Sequence, residues 1–230
     1  MGRLTALPPR LRRTNSVPLH PAVRGLRRAE LVSSDPQAAA VFLQDLLGWR
    51  IWEVDGDFDC WVGDRHCAVI RPDGPCRLPG WRLFFAGAPQ ECELVGPDEV
   101  VAQLVSGRAQ HGPFAPGPRA GEPRWAELCA ADAERADEFW IPTLGCSLQE
   151  SLYCVRDRPL ANRTASAVDG RWGWVCHFAV PEFDEAADRV VELGGKVLEQ
   201  GEHPVLGEAV FIADPTGGVC ALARSTGQWG

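Results

Sequence analysis

Hydrophobic and polar residues along the chain alternate in short blocks that predict strands, helices and the turns between them. A short apolar segment beginning at Ala29 predicts a strand, and Asp35 after it has a side chain preferred at a helix N-cap. Phe42 and Leu46 lie four residues apart and predict the buried stripe of that helix, which Gly48 ends. The first unit is therefore a strand followed by a helix.

This unit recurs 97 residues later without a gap. The Ala-Glu-Leu phrase at residues 29–31 returns at residues 126–128, and matching residues at the same offset are Asp35 and Asp132, Phe42 and Phe139, and the Leu-Gly pairs at 47–48 and 144–145. Strands are predicted after each glycine, over residues 49–54, 60–70 and 147–155. The chain thus repeats a strand, a helix and several strands.

A second pair of similar segments starts at Trp81 and at Trp174. After the later one we expect a helix capped by Asp184, followed by strands over residues 196–198, 209–213 and 219–223, the last two joined by an Asp-Pro-Thr-Gly turn. The earlier copy is weaker, with a helix predicted over residues 97–105. Each half of the chain therefore contains two units of the same kind.

These patterns divide the chain of 230 residues into four parts. They are a basic extension rich in proline and arginine (1–27), a first module with a degenerate second half (28–111), a Gly/Pro-rich linker (112–123) and a second module (124–230). Because one chain already contains a module pair, we expect a monomer or a homodimer.

Charge and composition narrow the function classes. The first 28 residues contain seven arginines and no acid, whereas the rest carries 16 basic and 31 acidic residues and would repel a phosphate backbone, so no nucleic-acid partner is predicted. A 45% apolar and 23% charged composition excludes general disorder. No apolar run approaches the roughly 20 residues needed to cross a bilayer, so we expect a cytoplasmic protein without membrane contact.

The order and spacing of four phrases resemble the vicinal oxygen chelate superfamily, which includes glyoxalases, bleomycin-resistance proteins and dioxygenases. The phrases are Trp-Ala-Glu-Leu-Cys-Ala-Ala-Asp at 125–132 with the Leu-Gly at 144–145, residues 174–180, Glu-Leu-Gly-Gly at 192–195, and residues 207–222. The resemblance covers residues 28–224 and is to the two-module, single-chain form. It implies an α+β fold in which tandem βαβββ units form two curled, cup-like mixed sheets.

Enzymes of this superfamily hold a divalent metal in the cup with His, Gln or Glu side chains, and the resemblance places the ligand positions of this chain on residues without suitable donor atoms. They are Arg28, Arg82, Trp125, Val175 and Ala221. Only nitrogen or oxygen lone pairs of this kind replace a metal's water shell well. We therefore expect no metal and no other cofactor.

Period-two alternation indicates which side chains share the inner face instead. Glu127 lies two residues after Trp125, His177 two after Val175, and Glu30 two after Arg28. Glu127 and His177 could form an acid–base pair if the protein is an enzyme, and the alternative is that both glutamates only shape the sheet. His20, His66, His111 and His203 are weaker functional candidates than His177.

Nine tryptophans suit a pocket for an aromatic ligand, although most are expected to pack in the core. The predicted ligand-binding residues are Trp125, Trp174, Arg82, Phe84, Glu30 and Trp61. Two functions follow. One is a metal-free binding protein that captures a hydrophobic or aromatic small molecule, as a sequestering resistance protein does. The alternative is a metal-independent isomerase, cyclase or lyase of secondary metabolism, so whether the chain is an enzyme stays open.

Overall fold

A computed structural model describes residues 23–75, 79–225 and 229, so most of the predicted basic extension lies outside the described residues. Within this part the chain forms two mixed β-sheets, each made by one half of the sequence, with three α-helices packed against them. None of the described helices is both long and apolar enough to cross a membrane.

The first sheet contains seven strands in the order β2-β3-β4-β1-β5-β7-β6. In chain order its elements are β1 (Gly25–Ser33), α1 (Pro36–Leu47), β2 (Arg50–Val54), β3 (Asp57–Val62), β4 (Arg65–Pro72), β5 (Gly80–Ala86), β6 (Cys92–Val95) and β7 (Val101–Val105). The central strand β1 pairs parallel with β4 and antiparallel with β5.

The second sheet contains eight strands in the order β13-β14-β15-β12-β8-β11-β10-β9. Its elements are β8 (Pro123–Cys129), α2 (Ala133–Leu144), β9 (Ser147–Gln149), β10 (Leu152–Val155), β11 (Arg158–Thr164), β12 (Gly173–Val180), α3 (Phe183–Glu192), β13 (Lys196–His203), β14 (Gly207–Ala213) and β15 (Val219–Arg224). Strand β8 pairs parallel with β11 and antiparallel with β12, as β1 does with β4 and β5. The predicted α+β fold of tandem βαβββ units is confirmed.

Local sequence determines where the first two helices begin and end. The carboxylates of Asp35 and Asp132 accept hydrogen bonds from the backbone N–H three residues later, at 3.0 and 3.1 Å. Gly48 and Gly145 follow these helices with φ of 69° and 65°, a left-handed conformation that glycine adopts at little cost. The repeat therefore marks equivalent helix ends, as its sequence predicts.

Two local predictions are wrong. Residues 97–105 do not form a helix: a 3₁₀ turn at Pro97–Glu99 leads directly into strand β7. Its β-branched Val101 and Val105 and the short connection favour the strand, which pairs with β5. Asp184 is not the cap of α3, because that helix begins after Glu182 and Asp184 instead pairs with Arg224 at 2.6 Å.

The two modules pack on each other through aromatic side chains. Phe85 of β5 lies 5.2 Å from Trp174 of β12, and Trp49 and Trp81 lie 5.4 and 5.3 Å from Phe178 of β12. These residues belong to one apolar cluster that includes both modules. Offset and edge-to-face ring pairs of this kind contribute about 0.5–1.5 kcal/mol beyond the burial of their area. One face of each sheet is thus used to join the modules.

Candidate metal centre

Two strands bring Glu127 and His177 together in the second module. In the β8–β12 register Glu127 is opposite Val175 and His177 is opposite Trp125, so both side chains project from one face of the sheet, which we call the site face. Glu127 is 4% exposed and His177 is fully buried. The distance from His177 Nε2 to Glu127 Oε2 is 3.0 Å, a charge-assisted hydrogen bond. The predicted pairing of these two residues is thus present in the structure.

His203 completes the cluster from an edge strand. It is the last residue of β13, opposite Gly207 of β14, and its Nε2 lies 3.6 Å from the same Glu127 Oε2. Its ring makes an edge contact with His177, with 4.9 Å between centroids. His203 Nδ1 accepts hydrogen bonds from the backbone N–H of Val205 and Leu206, at 3.1 and 3.0 Å. The turn after β13 therefore aims this imidazole at the carboxylate.

Asn162 and Trp125 support the carboxylate from the other side. Asn162 of β11 is in register with Glu127, and its Nδ2 donates to Glu127 Oε1 at 2.9 Å. Trp125 Nε1 donates in turn to Asn162 Oδ1 at 2.6 Å, and the indole packs beside Trp229. This chain of donors defines which Asn162 atom is oxygen and fixes the orientation of Glu127.

Electrostatics sets the protonation states of the pair. Burial alone raises the pKa of Glu127, but the imidazoles of His177 and His203 and the amide of Asn162 lower that pKa below its ordinary value. Burial lowers the pKa of His177, and the neighbouring Glu127 opposes this effect without cancelling it. The centre therefore holds an ionised carboxylate beside a neutral imidazole, which are the forms in which both groups ligate metals.

The donor atoms of Glu127, His177 and His203 all lie within 4.8 Å of one another and are buried. Two imidazoles and one carboxylate are the donor set of mononuclear non-haem iron sites. His203 Nε2 has no hydrogen-bond partner among the described residues, although it is buried, and an ion bound between the three side chains would satisfy it. The residues therefore fit a divalent metal, and the prediction of a metal-free, metal-independent protein is wrong.

The error came from the positions assumed for the ligands. Trp125 and Val175 carry no suitable donor, but Glu127 and His177 lie two residues farther along the same strands and on the same face. Ala221 of β15, in register with His177, also lacks a donor, and the third ligand comes from β13 instead. The donors are thus displaced along the sheet by more than the one residue that a simple register error would produce.

The two histidines differ in how their present hydrogen bonds would have to change on metal binding. A neutral imidazole that ligates through Nε2 carries its proton on Nδ1. His177 Nδ1 has no partner among the described residues and can take that proton. His203 Nδ1 already accepts two backbone N–H bonds, so ligation through its Nε2 requires the Val205–Leu206 turn to release them.

A cavity of about 160 Å³ reaches Glu127 and His203 from outside. Apolar walls are provided by Val168, Ala209 and Phe211, and the ring of Phe211 lies 5.4 Å from that of His177. Thr164 and Ser166 of the wall carry hydroxyl groups that can hydrogen-bond a ligand. A cavity of about 150 Å³ is large enough for benzene, so this one admits a single ring.

The equivalent place in the first module is filled by ion pairs. Glu30, the repeat partner of Glu127, lies 2.9 Å from Arg71 Nε. Phe84 lies opposite Arg28 in the sheet, where the second module has His177 opposite Trp125, and the Arg28 guanidinium stacks 4.3 Å above the Phe84 ring. Arg82 Nη1 lies 3.8 Å from Glu93. The predicted ligand-binding residues Glu30, Phe84 and Arg82 are therefore near one another but apart from the buried triad.

The predicted ligand-binding tryptophans lie in three places. Trp125 is buried beside the triad, whereas Trp174 is on the opposite face of the sheet, against Phe85 and Trp140. Trp61 stacks on His66 in the first module, with 4.6 Å between rings. Their role in ligand binding stays a prediction. The contribution of His203 was not evident from the sequence, because the predicted strand ends at residue 198, five residues before this histidine, whereas β13 extends to it.

Comparisons with known proteins support the fold. No family model and no curated protein matches the chain. Among solved structures, a catechol 2,3-dioxygenase is similar with a TM-score of 0.63 at 13% identity, covering 90% of this chain and 94% of that one. A Mn(II)-bound glyoxalase from Novosphingobium aromaticivorans has a TM-score of 0.60 at 13% identity, covering 90% and 84%.

A third similar structure is 2,2',3-trihydroxybiphenyl 1,2-dioxygenase from Sphingomonas wittichii strain RW1, with a TM-score of 0.60 at 15% identity and 91% of both chains covered. At this level of identity the similarity concerns the fold. The repeat, the strand order of both sheets and these structures together show that the chain has the tandem two-module fold of the vicinal oxygen chelate superfamily.

Proposed function

We propose that the second module is a metal-dependent enzyme that acts on a small aromatic molecule with the chemistry of a non-haem iron oxygenase. The observation that carries this proposal is the buried triad of Glu127, His177 and His203, two of whose members, Glu127 and His203, line a cavity open to the outside. Three protein ligands would leave positions on a bound ion open for substrate, and this donor set is typical of non-haem Fe(II) oxygenases.

The bound metal would supply activation of oxygen and of the substrate's hydroxyl groups. Glu127 and His177 would hold it from the rigid central strands, and His203 from the edge strand. Asn162 would keep the carboxylate oriented, since it donates to Glu127 Oε1. Phe211 and Val168 would contact an aromatic ring and exclude water, because both are apolar lining residues of the cavity.

The similar structures favour an aromatic substrate. Two of the three are named as dioxygenases of a catechol and of a trihydroxybiphenyl, and the third as a Mn(II)-bound glyoxalase. The cavity of about 160 Å³ fits one ring better than a polycyclic ligand. We therefore propose a single-ring diphenol as the first substrate class to test, and a small aromatic molecule as the partner of this protein.

The test has two stages. Fe(II) and Mn(II) are titrated anaerobically into the full chain by calorimetry, and one ion per chain is expected. The Fe(II)-loaded protein is then mixed with oxygenated catechol and simple alkylcatechols, while oxygen uptake and the absorbance of ring-cleavage products are followed. Glu127→Gln is expected to lose metal binding and oxygen uptake. Glu30→Gln, the same substitution at the repeat partner in the first module, is the matched control. Failure of the folded wild-type chain to bind either ion stoichiometrically would contradict the proposal.

A further inference from the structure

The cavity beside the triad has walls of one charge. Its charged lining residues are the three glutamates Glu127, Glu199 and Glu202, and no arginine or lysine is among the described residues that line it. None of the ion pairs in the described part of the chain involves Glu199 or Glu202. Glu199 and Glu202 are both exposed residues, so water as well as a ligand can contact their carboxylates.

Glu199 is the carboxylate placed to act on a ligand. It is the register partner of Phe211, the residue whose ring faces His177, so it projects from the site face of the sheet. Glu199 is itself a lining residue of the cavity, together with Glu127 and His203 of the triad. Glu202 pairs in register with Glu208, and its side chain alternates to the opposite face of the sheet.

We infer that Glu199 makes this cavity selective for uncharged or cationic single-ring molecules and against the same ring carrying a carboxylate. The inference rests on the proposed function insofar as both use the same cavity. A ligand carboxylate would enter a space bordered by like charges and would lose part of its hydration there. An ammonium group would find an opposite charge, and a neutral hydroxyl group would meet no repulsion.

The structure of the first module supplies an internal contrast. Its corresponding face contains Arg28, Arg71 and Arg82 among its acids, so an anion approaching it would meet positive groups. No such group borders the cavity of the second module within the described residues. Charge selection is therefore a property of the cavity with the triad and does not follow from the net charge of −8 of the whole chain.

Three probes with the same phenol ring and chain length test the inference: tyramine, which is cationic, tyrosol, which is neutral, and 4-hydroxyphenylacetate, which is anionic. Their dissociation constants are measured by ligand-observed NMR and calorimetry with the metal-free and the Zn(II)-loaded full chain. At low ionic strength we expect tyramine and tyrosol to bind up to about tenfold more tightly than 4-hydroxyphenylacetate, the upper end of the effect of one charge near an exposed carboxylate such as that of Glu199. Added salt should reduce the difference for tyramine.

The variant Glu199→Gln should bring the three dissociation constants to within about threefold of one another, because it removes the charge and keeps the shape. Glu208→Gln is the matched control on the adjacent strand, since that carboxylate pairs with Arg224 at 3.1 Å and does not line the cavity. The Glu208→Gln variant should discriminate among the three probes to the same extent as the wild type.

Equal or tighter binding of 4-hydroxyphenylacetate, a preference unchanged by Glu199→Gln, or no binding of any probe would overturn the inference. A failure of this inference can be distinguished from a failure of the proposed function. If the charge preference is present but the chain binds no metal, only the proposed function is wrong; if the metal binds and diphenols are oxidised without a charge preference, only the role of Glu199 is wrong.

Discussion

The two modules use the same Ala-Glu-Leu phrase in the same strand and give the glutamate opposite surroundings. Glu30 of the first module meets Arg71 at 2.9 Å, whereas Glu127 of the second meets two histidines and an asparagine. The first arrangement neutralises the carboxylate with a permanent cation. The second places beside it an amide donor and two imidazoles that could ligate a metal together with the carboxylate. The repeat thus places a buried carboxylate at the same position of both modules, and the neighbouring side chains determine whether it forms an ion pair or joins a cluster of possible metal ligands.

The largest effect should come from exchanging the two glutamates separately for glutamine. Glu127→Gln is expected to weaken Mn(II) or Fe(II) binding by more than about a hundredfold, because even residues that only support ligands contribute about 10–100-fold. Glu30→Gln should leave metal affinity unchanged, since Arg71 already occupies its carboxylate. Calorimetric titration of both variants measures the difference. Equal losses in the two variants would mean that the modules are not functionally distinct.

A smaller effect is expected when the carboxylate of the second module loses its support. Asn162→Leu removes the 2.9 Å hydrogen bond to Glu127 Oε1 and leaves Trp125 Nε1 without its acceptor. Metal affinity should fall about 10–100-fold while the sheet remains folded. Metal titration combined with circular dichroism checks this.

The control for Asn162→Leu is Gln103→Leu in the first module. Gln103 is also an amide on a strand, and its Nε2 donates to Glu93 at 3.4 Å, so this variant likewise removes an amide–carboxylate hydrogen bond. That bond is not part of the triad, and metal affinity should therefore stay at the wild-type value. Unaltered affinity in Asn162→Leu would contradict the supporting role.

Removal of Arg71, the cation beside Glu30 in the first module, should lower stability and leave the metal affinity of the second module unchanged. Arg71→Leu leaves the buried Glu30 without its nearest counter-charge, at an expected cost of about 1–3 kcal/mol in the free energy of unfolding. Arg71 is itself partly exposed and Arg28 lies near, so the lower part of that range is expected. Urea unfolding measures the change. A loss of metal affinity in this variant would instead indicate coupling between the modules.

The smallest expected effect near neutral pH is on stability, and it comes from His111, a buried histidine whose Nε2 lies near a backbone carbonyl oxygen. Burial lowers the pKa of His111 to about 3, and its Nε2 lies 3.1 Å from the His66 carbonyl oxygen. Because the unfolded chain binds this proton more readily, His111 contributes stability that is complete above about pH 6.5 and is lost as the pH falls toward 3. The loss is about 1 kcal/mol at pH 6 and steepens to about 1.4 kcal/mol per unit below it.

His111→Gln keeps a side-chain N–H but cannot take up that proton. The slope of the free energy of unfolding against pH between 6 and 4 should therefore decrease by up to about 1.4 kcal/mol per pH unit relative to the wild type, which is the slope that one bound proton contributes. Urea titrations at several pH values provide the slopes. Identical slopes would show that His111 is not the group whose protonation destabilises the first module in acid.

Much of the fold was predictable because its determinants are local. Asp35 and Asp132 cap helices, Gly48 and Gly145 end them, and the offset between the halves places β1 and β8 in equivalent positions. The pairing of Glu127 with His177 was also accessible, since period-two alternation puts both on the inner face. The segment at residues 97–105 was not, because a short run of apolar residues is compatible with a helix or a strand until its neighbour is known.

The sequence alone determined the duplicated α+β architecture and two of the three members of the buried triad, since caps, turns and strand alternation depend on neighbouring residues. Tertiary structure decided the third. Strict alternation from Leu198 would place Glu202 on the site face and His203 on the other, but a bulge between Val197 and Glu199 shifts the strand by one residue and turns His203 toward Glu127. A bulge depends on the pairing of β13 with β14, and so does the metal-binding capacity of this fold.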